Sequence, residues 1–286
     1  MKFFIQIIYR LLDIAFYKFS IIQPLLIDIV NGYFHQDKQA LRKFLSNHKE
    51  FIGEEIESLP SVLNYEKHIK KAITLVDLLN LDKSLSVIDI GSAYGDTCVT
   101  FANNFPHAKI YAFEPIEESF KKLSEKVGSY SNINTFNLAL GNPILDFSEI
   151  EIHVTANYLS SSLLKINPNH DNTYLNSALQ EIKTERVKIV KLDTIFKDIN
   201  EYFNIVKLDV QGYELEVLKG GENMLQRTNI VIVEMQNHED YESGIKYYEI
   251  DSFLREKNFL LFDIIPSIYV NRKLYEWNAI YVSKNL

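Results

Sequence analysis

Short β-branched runs that end on an acid or a glycine, each followed by an amphipathic helical stretch, recur through the middle of this chain. Ser86-Val87-Ile88-Asp89-Ile90-Gly91 is the first, with Asp96 and Thr97 placed to open a helix behind it. Lys109 to Glu114 is the second. Ile116, Phe120, Leu123 and Val127 follow at spacings of four, three and four, and Gly128 stands where that helix should stop. Asn134 to Leu140 reads as a third strand closed by Gly141. Asn204 to Asp209 reads as a fourth, with a helical segment through Leu215, Leu218 and Leu225. Ile230 to Glu234 reads as a fifth. Parallel strands need crossovers, so strands alternating with helices predict an α/β domain, a mostly parallel sheet with helices on both faces. Phe259–Ile265 and Trp277–Val282 carry no convincing helix between them and predict an antiparallel pair at the sheet edge.

The rhythm sets the boundaries. Val62, Tyr65, Ile69, Ala72, Ile73, Val76 and Leu79 form an amphipathic helix ahead of the first strand, so the main domain is expected over 62–286. Residues 144–200 interrupt the alternation. They hold the alternating Glu149 to Val154, a polar loop with Ser160, Ser161 and Ser162, and a strand candidate at Val187–Leu192. An insertion this long is more than a connection. It is either an extra hairpin with a solvated turn or a lid over the site. Residues 1–61 are expected to be a helical accessory region. Lys2, Gln6, Arg10, Asp13 and Tyr17 would line one stripe of a helix and leave a wide apolar face. That face suits packing on the domain, a homodimer, or peripheral membrane contact. No uncharged run there approaches the roughly 20 residues that cross a bilayer, and no secretory cleavage pattern follows.

Composition excludes some classes. One cysteine, Cys98, allows no internal disulfide and no thiolate zinc cluster, and a reducing, cytoplasmic setting is the simplest expectation. A formal charge of −8 argues against general nucleic-acid binding. The histidines show no metal-ligand spacing. Asp209 with Glu234 could hold Mg²⁺ in principle, but carboxylates at strand ends serve many other roles, and no metal is expected.

Ligands of open parallel sheets sit beyond the carboxyl ends of the strands. Those ends carry Asp89 with Gly91, Glu114, Ala139 to Gly141, Asp209, and Glu234. The loop Asp89-Ile90-Gly91-Ser92-Ala93-Tyr94-Gly95 has glycines four apart. A dinucleotide fingerprint would need glycine at position 93, which is alanine, and the phosphate-binding P-loop pattern is absent too. A nicotinamide dehydrogenase is therefore the weaker enzyme reading. Glu114 ends the second strand, where ribose-binding acids of dinucleotide enzymes stand.

Val87 to Gly95, Phe113-Glu114-Pro115, Ala139-Leu140-Gly141, Leu192-Asp193-Thr194 and, most specifically, Val206-Lys207-Leu208-Asp209-Val210-Gln211-Gly212-Tyr213-Glu214 through Gly220 resemble the motifs of the FkbM family of S-adenosylmethionine-dependent methyltransferases. The resemblance runs over roughly residues 62–283 and leaves the first 60 aside. It implies a class I methyltransferase (Rossmann-like) fold, S-adenosylmethionine as cofactor, and O-methylation of a small-molecule or glycan acceptor. Asp89, Gly91, Ser92, Tyr94, Gly95, Glu114, Ala139 and Asp209 are then the expected cofactor contacts. Gly91 and Gly95 would let the backbone approach the amino-acid part, and Glu114 would take the ribose hydroxyls.

Transfer to an alcohol calls for a base within hydrogen-bond reach. Asp209 is the first candidate and His238 the second, the latter because an imidazole ordinarily titrates near neutrality. Glu234 and Glu214 follow, with Glu214 better suited to bracing the Gln211-Gly212 turn. Ser160 to Ser162 resemble a serine stretch of the family, which would make them part of a substrate loop. A saccharide hydroxyl is the expected acceptor, because a membrane-proximal N-terminal helix would suit glycan assembly. The reading of a different class is an inactive methyltransferase fold serving as a binding or scaffold module.

Overall fold

A computed structural model describes residues 67–81, 85–169, 179–199, 201–270 and 273–286. The expectations for residues 1–61 lie outside these.

Helix α1 (Lys67–Leu78) precedes β1 (Ser86–Ile90), α2 (Asp96–Asn104), β2 (Lys109–Phe113), α3 (Glu117–Val127) and β3 (Ile133–Phe136). The insertion follows, with β4 (Ala139–Leu140), β5 (Ser148–Thr155), β6 (Glu181–Val190) and the short α4 (Leu192–Ile195). Then come β7 (Phe203–Leu208), α5 (Glu214–Lys219), α6 (Glu222–Leu225), β8 (Thr228–Gln236), α7 (Tyr247–Glu256), β9 (Phe259–Val270) and β10 (Lys273–Ser283).

Seven strands form the main sheet in the order β3-β2-β1-β7-β8-β10-β9. The first five in that order run parallel, and β10 is antiparallel to both its neighbours. The chain builds outward from β1 to β3, returns, and continues from β7, so the order reverses between β1 and β7. Alternate side chains feed two cores. Val87, Ile110, Ile205 and Ile230 face the layer of α1 and α2, with Ile69, Leu75 and Phe101. Ile88, Val206 and Val231 face the other, with Leu218, Leu254 and Trp277. Strands buried on both faces must be apolar at nearly every position, which is why they read as continuous runs.

One expectation changes. The third strand is two: β3 pairs with β2 in the main sheet, while β4 leaves it and pairs with β6. Two short strands joined within one apolar run look like one strand, because period and composition do not report a change of partner. The antiparallel pair of β9 and β10 stands at the sheet edge, as expected, with β10 on its inner side. Trp277 to Tyr281 are buried, and β10 slides between β8 and β9, leaving β9 outermost with Leu260, Phe262 and Ile264 exposed. Helix α7 has no counterpart in the sequence reading; it buries Ile250 and Leu254.

The insertion is built, not merely looped. β4, β5 and β6 form a three-stranded sheet around Ala139, Ile152, Val154, Val187 and Ile189, with Ile116 packed against it. Among the described residues no helix is long and apolar enough to cross a membrane.

Candidate active site

Parallel register places four strand ends in one row. Ile90 pairs with Phe113 on one side and Leu208 on the other, and Leu208 pairs with Val233. The next residues are Gly91, Glu114, Asp209 and Glu234. The row spans the point where strand order reverses, the place at which open sheets bind ligands.

The glycine turn closes tightly on its neighbours. The N–H groups of Gly91 and Ser92 both donate to the Phe113 carbonyl at 3.0 Å. Gly91 has φ +74°, and a Cβ there would stand 1.9 Å from the Asp209 carbonyl oxygen. Gly95 has φ +85° and begins α2. Ala93, the residue that excluded a dinucleotide fingerprint, is itself left-handed at φ +46°. The Ser92 hydroxyl donates back to the Asp89 carbonyl at 2.8 Å. Tyr94 is half-buried, with Lys122 Nζ 4.9 Å from its ring centre.

Glu114 holds this turn. One carboxyl oxygen accepts the Ala93 N–H at 3.0 Å and the other the Ile116 N–H at 2.9 Å. Burial outweighs those two bonds and raises its pKa to about 7. Asp89 lies beneath the loop, fully buried, with Oδ2 3.1 Å from Cys98 Sγ and Oδ1 3.5 Å from Lys207 Nζ. Ala139 is also buried, in the core of the small sheet.

Across the reversal point, carboxyls gather. Asp209 is a quarter exposed and has Lys207 Nζ 3.3 Å from Oδ2. Burial alone would raise its pKa, but Lys207 and the hydrogen bonds from Gln211 and Glu234 outweigh it and hold it below the ordinary value. Glu234 is buried and shifts the opposite way, driven up by desolvation and by the Asp209 charge. Glu276 comes from β10, whose register sets it opposite Gln236, and burial with the Asp209 charge raises it to about 8. Two carboxyls in contact do not both ionise, so the low value at Asp209 and the high one at Glu234 belong to the pair.

Glu214 braces the turn after β7, as its spacing suggested. Its Oε1 accepts the N–H of Val210 at 3.0 Å and of Gly212 at 3.1 Å. The insertion packs on the same turn. Ser162 Oγ donates to the Gln211 carbonyl at 2.7 Å, and Tyr241 OH reaches the Ser160 carbonyl at 2.7 Å. Ser161 and Ser162 are buried, so this stretch is not a solvated turn. Asn167 continues the seam, donating its backbone N–H to the Asp240 carbonyl at 2.8 Å.

His238 is tucked in beyond β8. Its ring stacks on Tyr275 with centres 3.7 Å apart, and Nδ1 stands 3.1 Å from Asp240 Oδ2. It is not the solvated loop histidine that an isolated position suggests. Among the described residues no group of three or more ligand-type side chains is arranged for a metal ion.

Lys207, Gln211, Tyr241 and Glu276 join the site without having been singled out. Lys207 and Gln211 lie inside the most specific motif, so a signal was present. Glu276 carried none, because only the β10 register brings it there.

A sheet of this order, with a glycine turn after its first strand and an acid after its second, is the class I methyltransferase fold. The methyltransferase FkbM domain model matches residues 89–261, more than half of the chain, and the chain belongs to that family. Hexuronic acid methyltransferase AglP of Haloferax volcanii is 42% identical over 65 residues, 20% of this chain and 27% of that one. The 2-O-methyltransferase NoeI of Sinorhizobium fredii is 25% identical over 166 residues, 56% of this chain and 66% of that one. The chain thus spans about a quarter and just under two thirds of these two relatives. Among solved structures, magnesium protoporphyrin IX methyltransferase from Synechocystis PCC 6803, with bound SAM, aligns with a TM-score of 0.44 at 11% identity, covering 90% of this chain and 97% of that one.

Proposed function

We propose that this protein is an S-adenosylmethionine-dependent O-methyltransferase that acts on a hydroxyl of a saccharide or related natural product. The observation that carries the reading is the single row of Gly91, Glu114, Asp209 and Glu234 across the reversal point of the sheet.

The residues of the row fit such a cofactor. A carboxylate oxygen can accept two hydrogen bonds, so each Glu114 oxygen keeps capacity for a ribose hydroxyl after taking its backbone N–H. The left-handed Gly91 and Gly95 let the chain turn without side chains in the way. When bound, the cofactor supplies an electrophilic methyl group on a sulfonium. The chain's own task is to align the acceptor oxygen and take its proton. The low pKa and partial exposure of Asp209 support the reading in which it would take that proton.

The acceptor class draws support from the names of two relatives, a hexuronic acid methyltransferase and a 2-O-methyltransferase. The serine stretch Ser160 to Ser162 and Tyr241 would wall the acceptor side.

Calorimetric titration with S-adenosylmethionine, with NAD in parallel, tests the reading. Binding of the methyl donor alone, weakened about 10-fold or more in Glu114→Ala by loss of charge-assisted hydrogen bonds, is the expected result. No binding of the donor would bring forward a scaffold role.

A further inference from the structure

The side-chain amide of Gln211 holds two carboxyls at once. Nε2 donates to Asp209 Oδ1 at 3.0 Å and also to Glu234 Oε2. At the other end Oε1 stands 3.0 Å from Tyr241 OH, whose one hydrogen is shared with the nearer Ser160 carbonyl. A flipped amide would face two carboxyls with its oxygen.

The backbone is constrained to present that amide. Gln211 has φ +57°, a left-handed conformation uncommon for a residue of this type. Glu214 holds the N–H groups on either side of it, and the Ser162 hydroxyl holds its carbonyl. Strain retained by bonds from separate elements is a mark of a functional position.

We propose that Gln211 is a positioning residue that binds the Asp209 and Glu234 carboxyls into one pair sharing a proton, and that this pair takes the proton of the acceptor hydroxyl. The second half rests on the methyl-transfer reading above. Asp209, a quarter exposed, meets the acceptor; Glu234, buried, stores the shared proton. As the acceptor oxygen bonds to the methyl carbon, the carbon–sulfur bond breaks and its electron pair stays on sulfur. The O–H proton passes to the pair, whose charge goes from −1 to zero, and later leaves to water. Lys207 on β7 and Asp89 on β1 face the pair from one side. Glu276 on β10 and Glu214 on α5 face it from the other, with Tyr241 beyond β8.

Carboxyl ¹³C NMR of the protein labelled at Asp and Glu side chains, titrated across pH, tests the pair directly, with Glu234→Gln and Asp209→Asn assigning the signals. In the wild type Asp209 titrates below an ordinary aspartate and Glu234 well above an ordinary glutamate. Gln211→Asn tolerates the left-handed backbone but is one methylene short of bridging both carboxyls, so the separation narrows. An unchanged separation in Gln211→Asn overturns the pair. With S-adenosylmethionine and a hexuronic acid glycoside as probe, kcat in Gln211→Asn falls about 10²-fold. The acid limb of its pH profile moves while calorimetric binding of S-adenosylmethionine stays at the wild-type level. An unchanged kcat and profile overturns the proton-accepting role. A wild type that binds no S-adenosylmethionine overturns the methyl-transfer reading itself, and the NMR separation then judges the pair alone.

Discussion

Lys207 Nζ stands 3.5 Å from Asp89 Oδ1, and neither side chain is more than 3% exposed. The two residues are register partners on β7 and β1, so the contact joins the central strands just below the glycine turn. The same ammonium also reaches Asp209 and, at 3.4 Å, the Gly91 carbonyl. Removing one partner of a buried pair costs more than the pair contributes, because the remaining charge stays uncompensated. Lys207→Met should lose about 3–5 kcal/mol in urea unfolding. Adding Asp89→Asn should recover part of it. A double variant no more stable than the single one would sink the pairing.

Gly91 and Gly95 should respond differently to alanine, although both are left-handed. At Gly91 the new Cβ would meet backbone, the Asp209 carbonyl at 1.9 Å; at Gly95 it would meet the end of the Leu123 side chain at 2.7 Å. Gly95→Ala should cost about 1–2 kcal/mol, the conformational penalty. Gly91→Ala should cost about 2–5 kcal/mol, since the strands must part as well. Equal denaturation midpoints would contradict the close approach of β1 to the Asp209 backbone.

Stability should fall as pH rises from about 5 to 8. Burial raises Glu114 and Glu214 to about 7 and Glu276 to about 8. A carboxyl whose folded pKa is raised contributes stability that is complete below its unfolded pKa and lost as pH climbs through the folded one. Asp209, held low, acts oppositely, and its contribution is lost only in stronger acid. Calorimetric Tm should therefore drop by several degrees between pH 5 and 8, at about 2–4 °C per kcal/mol for a domain this size. Glu276→Gln should flatten the slope, and an unaltered slope would remove Glu276 from the account.

Ser162 ties the insertion to the turn after β7. Its hydroxyl donates to the Gln211 carbonyl and accepts the Leu164 N–H at 3.0 Å. Ser162→Ala leaves both groups without that partner and should cost about 1–3 kcal/mol. Amide exchange at Leu164 should quicken well before global unfolding. Protection equal to the wild type would mean the seam is held elsewhere.

Residue order alone marked most of the strands, their parallel run and the residues that end them. Apolar runs between helices have few alternatives, and an acid or glycine at a strand's carboxyl end is visible as a break in the run. It also supplied the bracing role of Glu214, because Glu214 stands two positions after Gly212 and the contact is local. Tertiary structure decided the rest. Asn134 to Leu140 divides between two sheets because Ala139 and Leu140 find their partners in β6, about 50 residues later. Glu276 reaches the site through the antiparallel register of β10 alone. The opposite pKa shifts of Asp209 and Glu234 follow from Lys207 and Gln211 acting on the first and from burial beside the Asp209 charge acting on the second. Residue type and local spacing record what a short segment prefers; which distant strand it pairs with, and how far water is excluded there, is a property of the assembled sheet.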